Sequence, residues 1–170
     1  KLTAYMNKIP IVQFASSISY AEEGVDSLLN LEVIRIGDLE GTSEVYFETE
    51  DDSALNGRSY TASSGKLVFN AGESLAHIQV SIIDNAFWDT TTEFRCVLKQ
   101  EGLKGAVLGD YLNYTRIKII DDDYFPTNNF KHLVSEEDVM KCKKWQLLAG
   151  FITLVSNMPT VWTRSVKYIL

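Results

Sequence analysis

Residues 75–83 read Leu-Ala-His-Ile-Gln-Val-Ser-Ile-Ile, and their alternation decides the fold. Ala76, Ile78, Val80 and Ile82 fall on one side of an extended chain, with His77, Gln79 and Ser81 on the other. Successive side chains of a strand point to opposite faces of its sheet, so a period of two marks a strand with one face buried. The pattern recurs outward in both directions. Upstream lie residues 66–70, 43–49 (Val45, Phe47 and Thr49 opposed to Glu44, Tyr46 and Glu48), 27–36 (Leu29, Leu31 and Val33 opposed to Asn30 and Glu32) and 11–15, the last continued by Ile18 to Tyr20. Downstream lie 93–99, with Phe94, Cys96 and Leu98 together, and 113–120, with Thr115, Ile117 and Ile119 together. Turn residues separate these segments and no helical pattern interrupts them. The prediction is an all-β fold, a seven-stranded antiparallel immunoglobulin-like β-sandwich over residues 1–125.

The composition changes after Pro126. Ser135-Glu136-Glu137-Asp138 is a capping-box pattern, which predicts a helix over about 136–150. Pro159 interrupts the chain, and Thr160 could cap a last helix carrying Trp162, Val166, Ile169 and Leu170. Residues 126–170 therefore read as a short helical tail, basic and aromatic. Lys141, Lys143, Lys144, Arg164 and Lys167 alternate there with Trp145, Phe151, Trp162 and Tyr168, which suits an anionic membrane surface through 141–170. The bland alternative is that Trp145, Leu148, Phe151 and Trp162 pack on protein. The longest apolar run, Leu147 to Val155, is shorter than the roughly 20 residues of a bilayer span.

The 170 residues carry 23 Asp and Glu against 16 Lys and Arg, a net charge of −7. The imbalance is local, since residues 1–125 hold 20 acids and 10 cations. A body this acidic repels phosphates, so nucleic acid is excluded as a partner. Cys96 and Cys142 are too few and too far apart for a disulfide framework, and two histidines, His77 and His132, offer little to a transition metal. Cys96 reads as core, His77 as surface, Trp88 as a plug at the sandwich end, and Gly102-Leu103-Lys104-Gly105 as a loop. No nucleophile–base pair or phosphate loop is visible, so the chain is not expected to be an enzyme. The chain begins at Lys1 with neither Met nor a signal peptide, which reads as an excised fragment.

Antiparallel strands reverse at each turn, so alternate connections share one end of a sandwich. Glu22-Glu23, Glu50-Asp51-Asp52, Asp84 with Asn85 and Asp89, and Asp121-Asp122-Asp123 all fall on connections of the same end. Ten carboxylates held together repel one another and call for a cation. Oxygen ligands delivered by several loops are the donor set of calcium, at six to eight ligands, whereas zinc would want His or Cys.

The same residues resemble a Calx-β domain, the calcium-binding sandwich of sodium–calcium exchangers, over roughly 10–125. The resemblance rests on Tyr20-Ala21-Glu22-Glu23-Gly24, Thr49-Glu50-Asp51-Asp52, Asn56-Gly57-Arg58-Ser59-Tyr60, Gly72-Glu73, Ile82-Ile83-Asp84-Asn85 and Ile119-Ile120-Asp121-Asp122-Asp123. It implies Glu23, Asp51, Asp84, Asp121, Asp122 and Asp123 as calcium ligands, and Asn85 and Asp89 lie in the matching downstream stretch. Asn85, Ala86 and Thr92 stand where acids are expected, so one or two weakly held ions are anticipated. The implied function is a calcium-binding regulatory module that passes ordering to the rest of a larger membrane protein, a transporter or exchanger. Unpaired thiols favour the cytoplasmic side. The alternative is an adhesion module of an extracellular array whose joints calcium stiffens.

Overall fold

The alternating segments become strands in the computed structural model, which describes residues 9–125, 127, 128, 131 and 144–157. They are β1 (Ile11–Phe14), β2 (Ile18–Glu22), β3 (Leu28–Ile36), β4 (Ser43–Glu50), β5 (Ser64–Phe69), β6 (Leu75–Ser81), β7 (Thr92–Lys104), β8 (Val107–Leu108) and β9 (Tyr114–Ile120). One sheet has the order β6-β3-β1-β8 and the other β2-β9-β7-β4-β5. The apolar phases predicted from the sequence point inward. Val12, Phe14, Leu31, Val33, Ile78 and Val80 of the first sheet join Val45, Phe69, Phe94, Cys96, Ile117 and Ile119 of the second in one buried core. Fully burying an aliphatic or aromatic side chain of this size contributes roughly 1.5–3 kcal/mol, so this layer carries the fold. His77 lies on the exposed face of β6, as its phase predicts.

Three features depart from seven antiparallel strands. The first predicted strand is two strands, because the chain leaves one sheet after Phe14 and enters the other at Ile18. Ser16 marks the crossing, and its Oγ both donates to the Ile18 carbonyl and accepts the Ile18 N–H. This crossing makes two pairings parallel, β1 with β8 and β2 with β9. Strand β7 also runs beyond Lys99 to Lys104, with a register shift opposite Glu44 and Tyr46. The Gly102–Gly105 segment is therefore mostly strand rather than loop. Gly102 (φ 76°) lies against the Tyr46 ring, and Gly105 (φ 66°) lies against the Thr42 carbonyl, where a side chain would collide in both cases.

The chain divides into two compact units, residues 1–84 with 91–120, and residues 85–90 with 121–170. The sandwich core belongs to the first. The second contains helix α1 (Lys144–Asn157), which continues past the expected end near residue 150. Its small polar residues satisfy themselves on the preceding turn, with Thr153 Oγ1 donating to the Ala149 carbonyl and Ser156 Oγ to the Ile152 carbonyl. The capping box at 135–138, Cys142, His132 and the helix expected after Thr160 lie outside the described residues.

Candidate metal centre

The strand registers fix which connections share an end of the sandwich. Strand β3 runs antiparallel to β1, with Ile11 opposite Ile36, and β6 runs antiparallel to β3, with Leu28 opposite Ser81. In the other sheet Glu22 is opposite Ile120, Thr92 opposite Ile119 and Glu50 opposite Arg95. Strands β2, β4, β6 and β9 thus finish at one end of the sandwich, and β3 and β7 begin there. Glu23, Asp51 and Asp84 follow the first three of those finishing strands directly or within three residues. Asp121 follows the fourth.

Glu23 is placed by backbone. Its N–H donates to the Ile120 carbonyl at 2.9 Å, which extends the β2–β9 ladder by one rung to the peptide preceding Asp121. Gly24, at φ 69°, turns the chain, and Asp26 closes the turn by accepting the Glu22 N–H at 2.9 Å. Glu23 is only 4% exposed, which is unusual for a glutamate and costs solvation unless charge or hydrogen bonding compensates.

Asp51 is occupied differently. Its Oδ1 accepts from the Tyr60 hydroxyl at 2.6 Å and from the Asn56 N–H at 2.9 Å, so this oxygen fastens the 51–60 loop. The Tyr60 ring is buried and stacks on Phe94 with centroids 3.8 Å apart. Burial, with the Asp51 carboxylate beside it, raises the phenol pKa well above its ordinary value. Tyr60 is a residue that sequence alternation could not find, because it lies outside any strand. Glu50 is also compensated, since Lys99 and Arg95 lie 3.2 and 3.6 Å from its carboxylate. Asp84 is exposed at the end of the β6 segment.

In the second unit the acids brace one another through amides. Asp121 accepts the N–H of Asp89 on Oδ2 and that of Asp123 on Oδ1, the latter at 2.9 Å. Asn85 Oδ1 accepts the Phe87 N–H at 3.1 Å, and Asp123 Oδ1 accepts from the Asn128 amide. Trp88 meets Phe125 edge to face, with centroids 5.0 Å apart. Burial raises the pKa of Asp121, and the charges of Asp123 and Asp89 add to that, against the pull of the two amides. The ionised form of Asp121 is therefore less favoured than that of an ordinary surface aspartate. Asp122 is exposed.

These donors fit a hard cation. Each carboxylate oxygen that accepts one hydrogen bond keeps a second lone pair, and backbone carbonyls add further oxygens. The chain's other metal-ligating types lie elsewhere among the described residues, with Cys96 buried in the core and His77 on the outer face of β6.

Comparison with known proteins agrees with this architecture. The chain is 33% identical over 118 residues to the human (Homo sapiens) Extracellular matrix organizing protein FRAS1, covering 67% of this chain and 3% of that protein. It is 29% identical over 116 residues to Sodium/calcium exchanger 1 of Rattus norvegicus, covering 59% of this chain and 12% of that protein. It thus spans a small part of these relatives. Among solved structures, the apo-form Calx CBD1 domain superposes with a TM-score of 0.63 at 22% identity, covering 68% of this chain and all of that one. The Calx CBD2 domain gives 0.61 at 18% identity, covering 78% and 95%. These two likenesses show the fold. Residues 6–123 match the Calx-beta domain, and this chain belongs to that family.

Proposed function

We propose that the chain is a calcium-binding regulatory module. Sandwich residues 1–125 act as the sensor, and tail residues 126–170 act as the segment that receives the signal. The ligands are Glu23, Asp84, Asp89, Asp121, Asp122 and Asp123, with Asn85 contributing through oxygen and Asp51 through the oxygen that Tyr60 leaves open. The observation that carries this reading is the β2–β9 rung. It puts buried Glu23 on the peptide preceding Asp121, a carboxylate whose charge its own surroundings disfavour. Calcium would add positive charge there, hold the 85–90 and 121–128 segments to one another, and order the chain leaving β9. With Asn85 and Ala86 in place of acids, one or two ions of modest affinity are expected. The host in this reading is a larger membrane protein, a transporter or exchanger, with the module on its cytoplasmic side. The rat exchanger relative supports that choice.

Calorimetric titration tests the reading. Heat of binding with calcium, absent with magnesium at the same concentration, supports it. No heat at millimolar calcium overturns it.

The second reading is a structural module of an extracellular array, favoured by the relative named as an extracellular matrix organizing protein. An epitope placed after Ile120 in the host protein separates the two. Antibody labelling of intact cells supports the array, and labelling only after permeabilisation supports the cytoplasmic sensor.

A further inference from the structure

Helix α1 carries its apolar side chains outward. Trp145 is 64% exposed and Leu148 58%, and Phe151 and Ile152 are about half exposed, whereas Leu154 is buried. At about 100° per residue, Phe151, Val155, Leu148, Ile152 and Trp145 share one arc of roughly 120°, with Gln146, Thr153 and Ser156 outside it. Single exposed apolar residues are ordinary, but a contiguous stripe of this size marks a surface that something covers.

The charges favour one kind of cover. No charged residue follows Lys144 within the helix, and none of its first-turn residues is acidic. The sequence entering the helix is Lys141-Cys142-Lys143-Lys144, and Lys131 is exposed in the same unit. Among the described residues the stripe therefore has exposed Lys144 at one end and bare apolar surface beyond. With 14 residues α1 is about 21 Å long, and no helix among the described residues is long and apolar enough to cross a membrane.

We propose that α1 is an interfacial helix that lies flat on an anionic lipid surface. Trp145, Leu148, Phe151 and Ile152 seat among the upper acyl carbons, and Lys144 meets the phosphates. A convex stripe of four differently shaped side chains suits a medium that yields to any shape. A second copy of the chain would have to present a matching groove.

The test is co-sedimentation of the full 170-residue chain with vesicles. One set is phosphatidylcholine alone and the other an equimolar mixture with phosphatidylserine, both in chelator so that calcium bridging plays no part. Binding to the mixed vesicles that high salt reverses is expected, with little binding to the neutral ones. Lys144→Glu should lower partitioning at least about fivefold, since each basic residue near such a surface contributes about one such factor. The pair Leu148→Ser and Phe151→Ser should abolish it, and both side chains are exposed, so the fold is spared. With Trp88→Phe and Trp162→Phe, Trp145 emission should shift to the blue on vesicles and become protected from iodide. No co-sedimentation with the mixed vesicles overturns the proposal. So does a concentration-dependent dimer in their absence that the Leu148→Ser and Phe151→Ser pair disrupts. Because chelator is present throughout, failure here leaves the calcium reading untouched.

Discussion

The two ends of the sandwich solve the same problem with opposite means. At one, loop oxygens are held by a cation of the chain itself; at the other, the proposed function has calcium do the same. At the end where β3 and β5 finish, the cation is part of the chain. Arg35 is only 2% exposed, and its guanidinium donates to the carbonyls of Glu73 (2.9 Å), Gly41 (2.8 Å), Leu39 (3.4 Å) and Asn70 (2.7 Å) and to Ser43 Oγ (3.3 Å). It also faces the Phe69 ring at 5.6 Å. Two loops and the start of β4 are thereby tied to one planar, always charged group. At the other end, where Glu23 and Asp51 follow their strands, no comparably buried cation lies among the described residues. A built-in cation makes an end permanent, whereas the proposed calcium site would make the other end one that can be switched.

The largest expected effect is at the permanent end. Arg35→Met leaves five oxygens without their donor and should destabilise the sandwich by more than about 3 kcal/mol in urea unfolding. Arg35→Lys should recover only part of this, because a point charge cannot reach all five oxygens. Calcium should rescue neither variant. Rescue of Arg35→Met by calcium would break the comparison, since the ends would then not be independent.

Next is calcium itself. At a hundredfold excess over its dissociation constant it should stabilise the wild-type chain by about 2.7 kcal/mol in thermal unfolding. Asp121→Asn or Glu23→Gln should remove most of that gain. An equal gain in wild type and both variants would place the ion elsewhere.

Tyr60→Phe sharpens the contrast within the acidic end. It removes the hydroxyl that donates to Asp51 and should cost about 1 kcal/mol. The raised pKa of Tyr60 also fixes a sign. The unfolded phenol ionises near 10.0 while the folded one stays protonated, so the folded state binds more protons and stability falls as pH rises above 10.0. Cys96, pushed up to about 12 from 9.0 by burial, adds a decline that begins near pH 9. Tyr60→Phe should flatten the upper part of that decline, and an unchanged slope would contradict the assignment.

The smallest effect belongs to neither end. Thr115 is 1% exposed, and its Oγ1 has no hydrogen-bond partner. Thr115→Val should therefore be neutral or stabilising by up to about 1 kcal/mol, whereas loss of stability would mean that the hydroxyl is satisfied in solution.

Much of this contrast was legible in the sequence, and more was available than the alternation of apolar residues alone conveys. The period of two located most of the strands that carry the core, because burial of one face imposes that period, but it merged β1 with β2. Arg35 sits two residues beyond Val33 on the inward phase Leu29-Leu31-Val33, so its burial was written in the same pattern. What conceals it is chemistry, since arginine is rarely buried without partners, and the carbonyls that satisfy it come from distant loops. The crossing after Phe14 had no Gly or Pro to announce it. Asp51 was expected as a ligand, yet one of its oxygens serves Tyr60 and Asn56, a commitment that only the folded loop reveals. The length of β7 and the small strand β8 depend on a register shift and a two-residue pairing too short for periodicity to register.

The crossing of the first strand has a mechanical consequence. Because β2 runs parallel to β9 over five rungs, a pull applied between Ile11 and Ile120 draws these two strands past each other lengthwise. The rungs are then loaded together in shear instead of being opened one at a time. The β1–β3 pairing lies in the other sheet and bears the same tension at the start of the chain. One segment laced through both layers thus makes the sandwich stiff along the line on which its neighbours in a longer polypeptide would pull.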